Sequence, residues 1–455
     1  MTAELIVMNR NGLAMAADSA ASISTGDRQA KVYNTSNKLF ALSKHHPVGV
    51  MVYGSAEIMG LPWETVIKLF REKLGERSYG NLEGYASCFL AFLANDAFTS
   101  SCYDEYVKHS TYDVFEALTE SVDSEVKRII DAEGVIESEK IEEIHSREIK
   151  KYYDRFRRKR NKLDSDDRNG IAESMKNHRA SVGALVGRLI ENRPIKGTDR
   201  RRLVDSCLLA AIVLPGMSPS GVVIAGFGDA DVFPSARAFE IEKVIDGYID
   251  FTPVLEADIA LDNPARIRAF AQSNETHNFM TGISEKIELF ILSDMNRMLS
   301  NAFARQVADQ LIVDGIVNPG LEEQCRDNLQ YAAWGVHAYI KKQFSDICRK
   351  EFIAPVLDAV EFFTPTEMAG MAETLVNLES FRQQVTLRDE TVGGPIDVAV
   401  ITRGDGFVWV KRKHYFAAEL NHQFFANYNR VKDAARENQV NGRVPGEDVE
   451  GERPI

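Results

Sequence analysis

The chain has 455 residues, 44% of them hydrophobic and 27% charged, with a formal net charge of −13. That length buries a large core, as two or three domains or as one domain with big insertions, and the composition is that of an ordinary soluble globular protein. The acidic balance argues against a general affinity for nucleic acid or anionic membrane. The longest apolar run, Cys207 to Leu214, stops at Pro215 and is far too short to span a bilayer. No charged start followed by an apolar stretch marks a signal peptide, so a cytoplasmic location is expected. Cys88, Cys102, Cys207, Cys325 and Cys348 are scattered without paired spacing and read as reduced thiols. His45 and His46 sit in a turn without acidic or cysteine companions, so no metal and no cofactor is expected.

The first elements read as a β-hairpin: an apolar run to Met8, the turn Asn9-Arg10-Asn11-Gly12, then Leu13 to Ala17. A second pair of strands is predicted at Lys38–Leu42 and Val48–Tyr53, followed by a helix opening at Pro62 and running through Phe70. From about Tyr103 to Val213 the pattern is helical and highly charged. Strand character returns at Gly221–Gly228 and Ala238–Ile241. Helical segments are predicted over roughly Ile283–Val360 and Pro365–Val385, and the last strands at Ile396–Thr402 and Phe407–Val410. Beyond Tyr428 the chain is polar and reads as a flexible acidic tail. Strands, helices, strands, helices and strands again suit two antiparallel sheets covered by helices, an α+β fold with helical insertions. The basic run Lys150–Arg160 reads as a helix whose Tyr152, Tyr153 and Phe156 pack while its charges face water; nucleic-acid binding is the weaker reading.

The chemistry-bearing pattern begins at Thr2. Threonine is a poor nucleophile at neutral pH unless a base sits beside it. Removal of Met1 would supply one, because the free α-amine has an ordinary pKa of about 7.7–8.0. Such a nucleophile needs a cation that keeps the amine unprotonated, an acid that holds the cation, and backbone N–H groups for the oxyanion. Asp18 ends the second strand, Lys38 opens the third, and Gly54 ends the fourth. Taken singly, Asp18 also fits a strand-end turn residue, and Lys38 an exposed edge lysine that discourages aggregation.

At these residues the sequence resembles the proteasome β-subunit family of N-terminal nucleophile (Ntn) hydrolases, including its simpler bacterial relatives. That family opens with a mature Thr, a short hairpin, Ala-x-Asp, a Lys leading a strand and a Gly ending the next; Thr2, Asp18, Lys38 and Gly54 take those places. Val223–Gly228 with Ala238–Ile241 looks like its central strand pair, and Arg388–Ile401 like its Asp-x-x-Ser-Gly-Gly loop and closing strand, with Asp389 as the acid. Here Val392 stands in place of the family's serine, and Ser273 is the nearest hydroxyl to its Gly-Ser-Gly turn. The interval from Asp18 to Lys38 is longer than the family's, so Lys31 competes for the lysine's place.

The resemblance implies a four-layer αββα sandwich of two antiparallel sheets carrying two large helical insertions. The core would span 1–104, 219–282 and 366–416, the insertions 105–218 and 283–365, and a C-terminal helix and tail 417–455. It also implies cleavage of an amide bond, in a peptide or unfolded protein, through an acyl-threonine, with assembly into a homo-oligomer. Any ATP-dependent unfoldase acting with it would be a separate protein, since the chain has no phosphate-binding loop. A non-catalytic scaffold of the same fold that retains Met1, and an amidase for small molecules, are the alternatives.

Overall fold

The computed structural model describes residues 3–23, 31–95, 100–162, 165–214, 219–245, 247–385, 393–414, 420–423 and 426. Residues 3–411 belong to one unit and residues 412–455 to another. The tail and most of the expected C-terminal helix lie outside the described residues. Among the described residues no helix is long and apolar enough to cross a membrane.

The hairpin forms as its turn chemistry predicts: β1 (Ala3–Asn9) and β2 (Gly12–Ala17) pair antiparallel with Asn9 opposite Gly12. Flanking them are β12 (Ala265–Ala271), β13 (Asp397–Thr402) and β14 (Gly406–Lys411), in the order β12-β1-β2-β13-β14. The second sheet runs β11-β10-β9-β6-β5, from β11 (Tyr248–Asp258), β10 (Ser235–Ile245), β9 (Ser220–Gly226), β6 (Val48–Gly54) and β5 (Leu39–Ala41). Every pairing is antiparallel. A short ribbon, β3 (Ala21–Ile23) with β4 (Lys31–Tyr33), follows the hairpin, and a smaller one, β7 (Glu57–Ile58) with β8 (Leu61–Pro62), follows β6.

Strands β1, β2, β9 and β13 are buried along their whole length because both faces are covered, which is why they read as continuous apolar runs. Ile6, Met8, Leu13 and Met15 face inward and meet Met51, Val223 and Ala238 of the other sheet. On the outer side of the second sheet lie α1 (Trp63–Leu74) and α2 (Leu82–Asn95). Trp63, Val66, Ile67, Phe70 and Leu74 recur at helical spacing and form one buried face, with Phe70 edge-on to Phe89 at 5.0 Å between ring centroids. The outer face of the first sheet is covered by α12 (Pro365–Gln384), whose Met368, Ala372, Leu375 and Val376 pack on Leu5, Val7, Ala14 and Ala16. Thr364 and Glu367 cap its start reciprocally and Pro365 occupies the first turn. The layers are therefore helix, sheet, sheet, helix, in an α+β fold.

Two strands escape the sequence patterns. β11 carries Pro253, which argues against a strand, yet it is an edge strand and its pairing with β10 shifts register beside that residue. β12 alternates arginine with small and apolar residues, and only its pairing with β1 makes it a strand.

Between β8 and β9 stand α3 (Ser100–Glu133), α4 (Ser138–Arg160), α5 (Ser165–Leu189) and α6 (Gly197–Val213). They enclose a core of their own, with Leu118, Ile149, Phe156, Val186 and Leu208 buried at its centre. Tyr152 and Tyr153 pack against that core, so the basic run on α4 is one solvated flank of a packed helix. Between β12 and α12 stand α7 (Asn274–Thr281), α8 (Glu285–Leu289), α9 (Ala304–Val313), α10 (Glu322–Ile347) and α11 (Ala354–Val360). Wide π-turns over Phe290–Asp294, Arg297–Phe303 and Cys348–Ile353 interrupt this second set.

Candidate functional site

One end of the sandwich gathers the start of β1, the ends of β2, β6 and β12, and the starts of β5, β9 and β13, as the strand registers require. At that end Asp18 and Lys38 form an ion pair with Nζ 2.5 Å from Oδ1. Asp18 is 0% exposed and Lys38 4%, so Lys38 is not an exposed edge lysine. Lys38 is carried inward because its carbonyl accepts from Val52 N–H at 2.9 Å, which fixes it opposite β6 at the head of β5.

The Asp18 carboxylate does more than hold the lysine. Its Oδ1 accepts from Ala3 N–H at 3.1 Å, while Oδ2 accepts from Ala20 N–H at 3.2 Å and Gly393 N–H at 3.0 Å. It thus ties the start of β1, its own turn, the head of β5 and the loop ahead of β13. Ser19 continues the link: its N–H donates to Gly393 O at 3.1 Å, and its hydroxyl donates to Pro395 O. Removing one partner of such a buried, hydrogen-bonded pair costs about 3–5 kcal/mol. Of the glycine pair in that loop, Gly394 has φ +74 and no room for a side chain beside Asn34.

Gly54 ends β6 at φ +78, and a Cβ there would lie 2.7 Å from the Pro219 carbonyl oxygen. The backbone therefore demands glycine at this position irrespective of any ligand. Ser273 follows β12 by two residues, and Ala271, the last residue of that strand, is the partner of Ala3. It occupies the N-cap position of α7 without a capping bond from its hydroxyl; Glu379 of α12 caps that helix instead, accepting from Glu275 and Thr276 N–H at 2.7 and 2.9 Å. Ala271 itself has φ +59, a strained conformation for a residue with a side chain. Thr2 and Asp389 lie outside the described residues, as does the side chain of the competing Lys31.

Sequence reasoning passed over Glu4. It shares the inward-facing side of β1 with Ile6 and Met8, opposite Ala17 and Phe270, and is 1% exposed. Neither carboxylate oxygen has a hydrogen-bond partner. Burial drives its pKa well above the ordinary 4.5; the Lys38 ammonium opposes that shift and the Asp18 carboxylate adds to it. Nearby Tyr53, stacked on Phe270 at 5.7 Å, is pushed up to about 12 by burial and by the carboxylates of Glu240 and Glu4. The available signal was a lone charge at an inward position of an otherwise apolar strand.

Chemically, this end of the sandwich holds a fixed ammonium, a carboxylate whose hydrogen-bonding capacity is filled, and a buried acid whose pKa is raised, all beside the first described residue of the chain. The chain matches no family model and no curated protein. Among solved structures it is similar to a mutant of Anbu from Hyphomicrobium sp. strain MC1, with 12% sequence identity over 99% of this chain and 100% of that one. The TM-score of 0.26 is too low for that likeness to bear on fold or activity.

Proposed function

We infer that the protein is a threonine-type N-terminal nucleophile hydrolase of proteasome-like fold that cleaves an amide bond, with Thr2 as nucleophile. The observation that carries this reading is the buried Asp18–Lys38 pair, bonded through Asp18 to the N–H of Ala3, the residue next to Thr2. In this scheme Thr2 Oγ attacks the amide carbonyl and the Thr2 amine accepts its proton, then passes it to the departing amine. The resulting ester is hydrolysed by water, which restores the threonine. The Lys38 ammonium keeps the amine unprotonated, and the N–H of Gly54 faces the oxyanion. By resemblance the substrate is a peptide or unfolded protein.

Natively expressed protein treated with a peptide epoxyketone, which closes a ring with both the amine and the hydroxyl of an N-terminal threonine, tests this. Labelling is expected at Thr2, absent in Thr2→Ala and in Lys38→Met, and retained in Lys31→Ala. Retained Met1, or labelling that survives Thr2→Ala, would overturn the reading. The filled coordination of Asp18 favours a second reading, a non-catalytic scaffold in which the ion pair only pins four segments together. Under that reading Lys38→Met loses stability while no reagent ever marks Thr2.

A further inference from the structure

The second set of helices has almost no interior. Across residues 283–363 the buried apolar side chains are those of Ala304, Ala308, Cys348 and Val360. One side of α10 is accounted for: Ala333, His337, Ile340 and Phe344 recur at helical spacing, and His337 Nε2 is 3.0 Å from Ile291 O. Arg326–Asp309 at 2.8 Å and Gln330–Asn301 at 3.0 Å hold the same side against the preceding helices.

The opposite side of α10 faces outward, and over its middle, Tyr331 to Tyr339, it is not polar. At 100° per residue it centres on Gly335, with Tyr331 and Ala332 one turn before it and Ala338 and Tyr339 one turn after. Tyr331 is 75% exposed, Tyr339 65%, and Trp334 and Val336, at the two margins, 54% each. A solvated helix face carries charges there; aromatic residues around a small one are the make-up of an interface core. Gly335 sharpens the point. A helix-interior glycine is destabilising, and a Cβ built on Gly335 would meet nothing within 4 Å, so the isolated chain supplies no reason for it.

On that outward face the segment Tyr-Ala-Ala-Trp-Gly-Val-His-Ala-Tyr is symmetric about Gly335 at Tyr331 and Tyr339 and at Ala332 and Ala338. An antiparallel copy crossing there brings Tyr331 level with Tyr339 and Ala332 level with Ala338 across the seam, and sets Trp334 and Val336 each on the flank of its own counterpart. The same register puts Lys342 level with Asn328 and Asp346 level with Gln324, so no like charges meet along the centre of the face. We propose that this face of α10 is covered by the α10 of a second copy of the chain, the two helices crossing antiparallel on a two-fold axis at Gly335. The glycine is there to let the two backbones approach.

Sedimentation of the full chain at about 10 μM is expected to show a dimer or a multiple of one. Gly335→Leu, which meets no atom within the isolated chain, should raise the dimer dissociation constant about thirtyfold or more while far-ultraviolet circular dichroism stays unchanged. Mixed Tyr331→Cys and Tyr339→Cys chains should oxidise to a covalent heterodimer, which neither variant forms alone. A monomeric wild type, as would follow if a different protein covered the face, overturns the proposal. So does assembly indifferent to Gly335→Leu, or cross-linking of Tyr331→Cys to itself.

Discussion

The two helical insertions of this chain solve the same problem in opposite ways. In the first, α3 to α6 bury their apolar faces in one another, and even the charges that go inside find partners: Ser146 donates to Asp199 at 2.7 Å and Ser121 to Glu148 at 3.0 Å. In the second, α9 and α10 meet along one side only, and Trp334, Tyr331 and Tyr339 are left in water. The two sets of helices thus differ in whether their apolar surface is consumed within the chain. What distinguishes them is the number of apolar faces each helix presents, since a single stripe is satisfied by one neighbour and an opposite second stripe needs another. The same contrast recurs among single groups at the candidate site. Asp18 has every lone-pair direction occupied by protein donors, whereas Glu4, opposite the residue before it in the hairpin, has none, and burial raises its pKa.

Substitutions on the satisfied side of each contrast should cost most, and at any protein concentration. Phe156→Ala opens a cavity in the first insertion and should lower stability by about 3–5 kcal/mol in urea titrations, equally in dilute and concentrated samples. Asp18→Ala should cost a similar ~3–5 kcal/mol by leaving Lys38 buried without its counter-charge. A loss below about 1 kcal/mol in either would show that the region yields more easily than its packing implies.

Trp334→Ala should act differently. It is expected to weaken association by about 2 kcal/mol and to lower the melting temperature only at concentrations where the wild type is assembled. An equal effect in dilute monomer would place Trp334 in the chain's own core and erase the contrast between the insertions.

The smallest effect is expected at Glu4 and has a defined sign. Because its native pKa is raised, the unfolded chain releases this proton near the ordinary 4.5 while the folded chain retains it. Stability therefore falls as pH rises from that value toward the raised one. Glu4→Gln removes the titration, so the variant should match the wild type near pH 4 and exceed it at neutral and higher pH. A pH-independent difference between the two would mean that Glu4 is ionised in the fold.

Several elements were legible along the chain because their cause is local. The β1–β2 hairpin follows from its Asn-Gly turn, α12 from Thr364, Pro365 and Glu367, and β9 and β13 from apolar runs too short for helices. The closeness of Asp18 and Lys38 was expected on resemblance, and it rests on strand ends that a regular sheet brings together. The family-derived places of Gly54 and Ser273 fall at the same end of the sandwich, though the glycine there answers to its backbone and the serine to the start of a helix.

What the linear sequence left open depends on partners far away in it. β12 is a strand because Ala3 to Asn9 stand beside it more than 250 residues earlier, and Pro253 is tolerated in β11 because, among the described residues, no strand pairs on its outer side. Gly393 reads as a turn residue until its N–H is found on Asp18. Glu4 reads as one charge among many, and only enclosure between two sheets raises its pKa. Local propensity and periodicity are written in neighbouring residues, whereas burial, register and the satisfaction of a polar group belong to whichever distant segment arrives opposite.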